Sequence, residues 1–185
     1  MTGKTKKIYV LGIIDENTVQ KVYEQISEIK PQLDTIDKIY LFIDSDGGIV
    51  SSTGKILNLL EPIKEKLTTV ALTSCKSCAT FLFLLGKERL VIEECEFLMH
   101  RPAVKVEELE KEYGGRITVP ALKEHLLSLK DTEEKLKSFY KEHNVPNDLL
   151  KRIFTTNNDV IVSAESLLLT KMATAICKVD FDVII

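Results

Sequence analysis

The chain has 185 residues, of which 44% are hydrophobic and 29% are charged, values that are ordinary for a globular domain. Its 25 basic and 28 acidic residues give a net charge of −3 without a basic block, which argues against binding to nucleic acid or to an anionic membrane. No apolar run approaches the roughly 20 residues of a spanning helix, and we see no secretory segment before the first apolar run. We therefore expect a single domain over residues 1–185.

Strands and helices are predicted to alternate through the first hundred residues. Continuous apolar runs predict strands that are covered on both faces, and apolar residues at helical spacing predict the helices between them. The predicted strands are residues 8–14, 39–43, 67–72, 89–92 and 96–99. The predicted helices are residues 19–29, 56–60 and 77–85. This alternation implies right-handed crossovers, a largely parallel sheet and the α/β class.

The second half of the chain is more charged and is predicted to be mainly helical. Its main feature is an arm, about residues 104–143, with a stripe of leucines that is interrupted at Gly114-Gly115 and around Pro120. The apolar side chains of such a stripe must be buried, either against the sheet of the same chain or against another subunit. The remaining predictions are a helix at residues 147–155, a helix capped by Ser163 and a strand at residues 179–185. The single domain would then consist of a core, about residues 7–100 and 145–185, and this arm.

Four cysteines are present in a chain whose core is large enough to need no covalent cross-links: Cys75, Cys78, Cys95 and Cys177. The Cys75-x-x-Cys78 spacing suits a redox pair or half of a zinc site, but no second pair and no nearby histidine completes such a site. Reduced thiols in a cytoplasmic protein are the favoured interpretation. We expect no metal and no organic cofactor.

A hydroxyl, an imidazole and a carboxylate follow one another in an order that suits nucleophilic acyl transfer: Ser77, His100 and Asp159. In that chemistry the imidazole takes the proton of the hydroxyl, and the carboxylate fixes the imidazole tautomer. Ser77 comes where a strand ends and a buried helix begins, so free backbone N–H groups there suit a developing oxyanion. Gly47-Gly48 closes a parallel strand at the edge where such sheets bind ligands, and paired glycines let an N–H approach a carbonyl closely.

Each candidate residue also has a structural explanation that involves no chemistry. The alternatives are a helix cap for Ser77, a turn for Gly47-Gly48 and for Asp159, and a buried core position for His100. Of the other histidines, His125 falls within the charged helix. His143 falls at a helix end, where the helix dipole favours a protonated ring.

Four segments taken together resemble the Clp-type serine peptidases, whose proteolytic subunits stack as rings. Residues 39–48 resemble that family's strand followed by Asn-Ser-Pro-Gly-Gly, and residues 77–82, Ser-Cys-Ala-Thr-Phe-Leu, resemble its Ser-Met-Gly-Ala-Phe-Leu. Residues 98–102, Leu-Met-His-Arg-Pro, resemble its Met-Ile-His-Gln-Pro, and residues 159–165 resemble its Asp-x-x-x-Ser-Ala-Glu. The resemblance covers roughly residues 7–177 in the family's order.

The resemblance implies a cytoplasmic serine endopeptidase with a crotonase-like β/β/α spiral and a protruding handle helix formed by the arm. It implies that Ser77 attacks the scissile carbonyl, that His100 is general base and then acid, and that Asp159 orients the imidazole. The backbone N–H groups of Gly48 and Cys78 would form the oxyanion hole. The active form would be a heptameric ring, or two stacked rings, that cuts unfolded polypeptides or peptides. ATP would be used only by a separate unfoldase.

Several positions depart from the family pattern. Asp44 and Asp46 stand where the family has Asn and Pro, and a carboxylate near the oxyanion hole would oppose the developing negative charge. Lys76 replaces a small residue before the nucleophile, and the stretch after His100 is longer than in the family. Only seven residues precede Ile8, which argues against docking of an AAA+ unfoldase, because family members use a longer N-terminal segment for that contact.

Other functions stay open on the sequence alone. One is a catalytically weak or inactive ring subunit, for which the altered oxyanion loop argues. Another is a crotonase-superfamily enzyme acting on an acyl thioester, because that superfamily shares the fold and holds an enolate oxygen with backbone N–H groups. A relative of the signal-peptide peptidases would need a serine–lysine pair. Lys76 is adjacent to Ser77, so its side chain should point away from the hydroxyl.

Overall fold

The computed structural model describes residues 3–104, 109–111, 113–156 and 158–178. The strands are β1 Thr5–Leu11, β2 Lys38–Ser45, β3 Leu67–Lys76, β4 Glu88–Ile92, β5 Glu96–Met99, β6 Val160–Val162 and β7 Ala175–Cys177. The helices are α1 Glu16–Ile29, α2 Val50–Leu60, α3 Ala79–Leu85, α4 Val119–Glu142, α5 Asn147–Thr155 and α6 Ala164–Leu169. The chain divides into a first unit, up to Met99 and from Asp159 onward, and a second unit, His100–Asn158. The strand predicted at residues 179–185 lies outside the described residues.

Among the described residues, the first unit contains a seven-stranded, mostly parallel sheet. Strands β1, β2, β3, β4 and β7 are neighbours in that order, and each pair is parallel. The second half of β3 pairs in parallel with β5, and β5 pairs antiparallel with β6. The predicted α/β class is confirmed. Strands β6 and β7 were not predicted, because a three-residue strand is too short to show a periodic pattern.

Strand β3 continues to Lys76, beyond its predicted end at residue 72. The register between β2 and β3 shifts here, so that extra residues of β3 lie opposite Asp44. The Asp44 carboxylate accepts hydrogen bonds from the Ser74 N–H at 2.8 Å and from the Thr73 hydroxyl at 2.6 Å. Asp44 therefore provides hydrogen-bond acceptors for the Ser74 N–H, which the interrupted β2–β3 ladder does not pair, and for the Thr73 hydroxyl. Irregularities of this kind bend a strand and are common beside active sites.

Helix α3 is buried along most of its length. Every residue from Ala79 to Leu84 is buried, and the ring of Phe83 packs edge-on against that of Phe97 in β5, with 5.3 Å between the centroids. A seven-residue helix is marginal in isolation, so tertiary burial of this apolar surface is what stabilises it. The turn that precedes α3 is consequently anchored at both ends, by β3 and by this buried helix.

The second unit contains α4, a helix of 24 residues, and α5. The Thr118 hydroxyl accepts a hydrogen bond from the Ala121 N–H at 3.4 Å, and Pro120 lies in the first turn, where an N–H donor is not needed. The interruption predicted at Pro120 is thus the start of a helix. The break predicted at Gly114-Gly115 is confirmed, since both residues adopt positive φ, at 62° and 80°.

The leucine stripe of α4 is covered only toward the end of the helix. Leu136 and Tyr140 are buried, and the Tyr140 ring lies 6.2 Å from the Phe154 ring of α5. Nearer the start of α4, Leu122, Leu126 and Leu127 are exposed. Leu122 and Leu126 belong to the stripe for which the sequence predicts a cover, whereas Leu127 does not. No helix in the described part of the chain has the length and apolar character needed to cross a bilayer.

Candidate active site

Ser77 occupies the turn between β3 and α3 and has an unusual backbone conformation. Its φ is 54°, in the left-handed region that residues other than glycine seldom adopt. The Ser77 N–H donates to the Leu98 carbonyl of β5 at 2.9 Å, and the Ser77 carbonyl accepts from the Thr80 N–H at 3.2 Å and hydroxyl at 2.7 Å. Strained residues held in this way cluster at functional sites. The conformation therefore marks Ser77 as a candidate nucleophile.

The helix-cap explanation of Ser77 is wrong. Helix α3 begins at Ala79, its N-cap is Cys78, and no side-chain cap bond is made there. The Ser77 side chain is half-buried, and within the described residues of the first unit its hydroxyl has no hydrogen-bond partner. The hydroxyl is thus not engaged in stabilising the helix.

The glycine loop, Gly47-Gly48, lies directly against the Ser77 turn. A Cβ atom placed on Gly47 would lie 2.6 Å from the Ser77 Cβ and 2.8 Å from the Lys76 carbonyl oxygen. A Cβ atom on Gly48 would lie only 2.3 Å from the Ile14 carbonyl oxygen. Both glycines also adopt positive φ, at 96° and 156°. The glycines therefore do more than form a turn, because Gly47 allows the loop to approach the Ser77 turn closely and Gly48 allows it to approach the Ile14 backbone.

Gly48 and Cys78, the two predicted oxyanion-hole residues, are neighbours in space. A Cβ atom on Gly47 would lie 3.3 Å from the Cys78 nitrogen. Burial raises the pKa of the Cys78 thiol, while hydrogen bonds from the Thr53 hydroxyl and the Gly48 N–H lower it to a smaller extent. The two residues whose N–H groups are predicted to form the oxyanion hole are thus close together.

The cysteines of the first unit are mostly buried. Burial raises the pKa of the Cys75 thiol well above its ordinary value and raises that of Cys95 to about 12. Cys177 is only half-buried. Among the described residues, no group of three or more His, Cys, Asp or Glu side chains is arranged to hold a metal ion.

We expect iodoacetamide to modify native Cys177 well before Cys75, Cys78 or Cys95. The thiolate is the reactive form, and burial at these three positions disfavours it at about pH 8. Modification can be followed by mass spectrometry of the digested protein. In guanidinium chloride all four cysteines should react at similar rates, which serves as the control. Early modification of Cys75 or Cys95 in the native protein would contradict the buried arrangement.

Lys76, the residue before the candidate nucleophile, is paired with two carboxylates. Its Nζ lies 3.1 Å from Asp46 and 2.5 Å from Glu96. The hydrogen bonds to Glu96 and Asp46 raise the pKa of Lys76. Hydrogen bonds from Ser74 and Lys76 lower the pKa of Asp46. A lysine that is held charged cannot accept the Ser77 proton, which argues against a serine–lysine pair.

His100 belongs to the second unit and is half-buried. Its Nδ1 lies 2.7 Å from the carbonyl oxygen of Arg101. A carbonyl only accepts hydrogen bonds, so in the neutral ring Nδ1 carries the proton and Nε2 keeps its lone pair. This is the tautomer in which Nε2 can accept a proton from a hydroxyl.

Asp159 belongs to the first unit, where it is exposed and directly precedes β6. In the antiparallel pair of β5 and β6, Met99 lies opposite Val160. Strand β3, which ends just before Ser77, runs parallel to β5. The end of β3, the end of β5 and the start of β6 are therefore at the same edge of the sheet. The topology brings Ser77, Met99 and Asp159 to that edge.

The other two histidines lie in α4 or at its end. His143 is the C-cap of α4, its Nδ1 lies 2.8 Å from the Phe139 carbonyl oxygen, and its ring stacks on the Phe139 ring at 4.0 Å. The predicted position of His143 at a helix end is confirmed. His125 lies within α4, as predicted, and is half-buried there.

Comparison with known proteins gives one consistent result. The family model described as Clp protease matches residues 2–168. ATP-dependent Clp protease proteolytic subunit 3 of Rhizobium meliloti is 28% identical over 54% of this chain and 51% of its own length. Subunit 2 of Borreliella burgdorferi is 28% identical over 54% and 50%, and the subunit of Streptococcus sanguinis is 26% identical over 72% and 66%. The chain thus spans about half the length of the first two relatives.

Proposed function

The chain belongs to the Clp protease family, and from this premise we propose that it is a serine endopeptidase acting on unfolded polypeptides or peptides. Ser77 is the nucleophile, His100 the general base and then acid, and Asp159 the orienting carboxylate. The N–H groups of Gly48 and Cys78 form the oxyanion hole. The observation that carries this proposal is the φ of 54° at Ser77, in a turn that the glycine loop contacts directly.

The strand register supports the assignment of Asp159 as the partner of His100. The β5–β6 ladder ends with Met99 opposite Val160, and along the chain His100 directly follows β5 and Asp159 directly precedes β6. We propose that in the active arrangement the Nδ1–H of His100 exchanges the Arg101 carbonyl for the Asp159 carboxylate.

The proposed reaction has two halves. As Ser77 Oγ attacks the scissile carbonyl, His100 Nε2 takes its proton, and the developing oxyanion accepts hydrogen bonds from the N–H groups of Gly48 and Cys78. The imidazolium then gives that proton to the leaving amine. Water, activated by His100, hydrolyses the ester on Ser77 and restores the hydroxyl. These steps require no metal and no organic cofactor.

We also propose the assembly that the family suggests: a crotonase-like β/β/α spiral in a heptameric ring or two stacked rings, with α4 as the handle helix. The exposed leucines at the start of α4 support this, because a contact between subunits would cover them. The relatives are named as proteolytic subunits of an ATP-dependent protease, so an AAA+ unfoldase is the partner to test first. Organisation as one domain and a cytoplasmic location stay predictions.

Labelling with a fluorophosphonate probe tests the proposal. We expect a single adduct, mapped to Ser77 by peptide mass spectrometry. Its rate of formation should fall by a factor of about 10² or more in His100→Ala, because the proton acceptor is lost, and by a smaller factor in Asp159→Asn. His125→Ala removes an imidazole from within α4 and is the matched control, which should react at the wild-type rate.

Absence of the adduct in a sample that sizing chromatography shows to be assembled would contradict the peptidase proposal. That result would favour an inactive ring subunit. Binding to immobilised coenzyme A would then distinguish an acyl-thioester enzyme from a subunit without activity.

A further inference from the structure

Three charged residues meet beside the nucleophile turn. Lys76 Nζ lies 3.1 Å from Asp46 Oδ1 and 2.5 Å from Glu96 Oε2. Asp46 directly precedes Gly47, and Lys76 directly precedes Ser77. The ion pair of Asp46 and Lys76 therefore connects the glycine loop to the nucleophile turn through the residues immediately before each.

Asp46 is tied to β3 by more than the lysine. The Ser74 hydroxyl donates to the same oxygen, Asp46 Oδ1, at 2.7 Å. Ser74 also donates its N–H to Asp44, which fixes its position in the irregular part of β3. The carboxylate that departs from the family pattern is thus anchored by one hydroxyl and one ammonium, both from the strand that ends at the nucleophile. Glu96, at the start of β5, holds the other side of that ammonium.

The two connected segments have few other backbone links. Beyond the last ladder pair, Ser45 with Cys75, no backbone–backbone hydrogen bond joins residues 46–48 to residues 76–78 in the described structure. The Gly47 carbonyl instead accepts from the Ile14 N–H at 2.9 Å, and the Gly47 N–H donates to the Ser45 hydroxyl at 3.0 Å. These contacts fix the glycine loop on the side of β1 and β2. Toward Ser77, the ion pair of Asp46 with Lys76 directly links the glycine loop to β3.

The residue types also indicate that the loop needs such a link. The family pattern has proline where this chain has Asp46, and a proline fixes its own φ covalently. Asp46 has no such restriction, so the position of the next residue, Gly47, depends on what the Asp46 side chain contacts. The side chains of Asp46 and Glu96 are 74% and 71% exposed, whereas that of Lys76 is 24% exposed. Exposed ion pairs add little to global stability, so the effect to seek is local order in the loop.

We propose that Lys76 is a positioning residue, which through Asp46 and Glu96 holds the glycine loop at the distance from Ser77 that an oxyanion hole requires. Its charge also offsets the Asp46 carboxylate, which would otherwise oppose the oxyanion. The catalytic part of this inference rests on the proposed function, whereas the ordering of the loop does not. The two parts can therefore be tested separately.

Hydrogen exchange measured by mass spectrometry on the full chain tests the ordering. We expect Lys76→Met to speed exchange in residues 45–49 by about tenfold, because local opening of the loop becomes easier. Lys76→Arg keeps the charge and should leave exchange near the wild-type rate. Lys55→Met is the matched control: it removes a lysine from another exposed ion pair, with Glu16 at 2.7 Å, and should not change exchange in residues 45–49.

The rate of fluorophosphonate labelling at Ser77 tests the catalytic part. In Lys76→Met we expect the maximal labelling rate to fall by about tenfold with little change in the half-saturating probe concentration, because the loop acts on the transition state rather than on binding. Lys76→Arg should restore most of the rate.

Unchanged exchange at residues 45–49 in Lys76→Met would overturn the inference, whether or not Ser77 reacts. Faster exchange with an unchanged labelling rate would also overturn it, since the lysine would then have only a structural role. If wild-type Ser77 forms no adduct, the proposed function fails, and the exchange rates alone decide whether Lys76 orders the loop.

Discussion

Replacing Ser77 with alanine is expected to lower the rate of peptide hydrolysis by a factor of about 10³ or more. The change removes one oxygen atom, the proposed nucleophile, and leaves the hydrogen bonds of the Ser77 backbone to Leu98 and Thr80 in place. Alanine and serine meet the same steric strain at positive φ, so the free energy of unfolding should change by less than about 1 kcal/mol. Hydrolysis of a fluorogenic peptide, with chemical denaturation alongside, measures both quantities.

Ser27→Ala is the matched control for this experiment. The Ser27 hydroxyl lies on α1 and donates only to the Tyr23 carbonyl one turn earlier, at 2.8 Å, so its loss should leave hydrolysis at the wild-type rate. Wild-type hydrolysis by Ser77→Ala would show that another group is the nucleophile. Loss of activity together with loss of folded protein would instead show that the turn requires the serine side chain structurally.

Replacing Gly48 with alanine is expected to lower the free energy of unfolding by about 2–4 kcal/mol. The added Cβ would lie 2.3 Å from the Ile14 carbonyl oxygen and 2.8 Å from the Ile14 nitrogen. Both are backbone atoms, so no side-chain rotation relieves the contact, and the φ of 156° is itself unfavourable for alanine. Urea denaturation followed by circular dichroism measures the loss. Any Gly48→Ala protein that stays folded should also react slowly with the fluorophosphonate probe at Ser77, because the Gly48 N–H is displaced.

Gly54→Ala provides the contrast within the same protein. Gly54 lies inside α2, and a Cβ atom placed there meets nothing within 4 Å. Alanine should therefore raise the free energy of unfolding by about 0.5–1 kcal/mol, through its better helix propensity. Equal denaturation midpoints for Gly48→Ala and the wild type would contradict the close approach of Ile14 to the glycine loop.

The main elements of the first unit could be predicted because their signals are local. Continuous apolar runs identified β1, β2 and β3, and helical spacing identified the helices between them, since burial on both faces of a sheet requires such runs. The first strand was predicted at residues 8–14, three residues later than the observed Thr5–Leu11. The end of β3 was misplaced by four residues. Thr73 and Ser74, two of the four residues beyond the predicted end, are polar. They stay in the strand because Asp44, about thirty residues earlier, accepts their hydrogen bonds.

The candidate site shows the same division. Residue types and order were sufficient to single out Ser77, Gly47-Gly48 and the motifs shared with the Clp family. The left-handed backbone of Ser77 could not be predicted, because serine seldom adopts it without tertiary hydrogen bonds. The partners of Lys76 were also beyond prediction, because Asp46 and Glu96 are distant in sequence and only the pairing of β2, β3 and β5 brings them to it.

The α/β class, the family and the residue types available for catalysis follow from the sequence, because burial patterns and short motifs are properties of consecutive residues. The close approach of the glycine loop to Ser77 and the ion pair that neutralises Asp46 are visible only in the three-dimensional structure. Those outcomes depend on strand register, and a register is set by contacts between segments that are far apart along the chain.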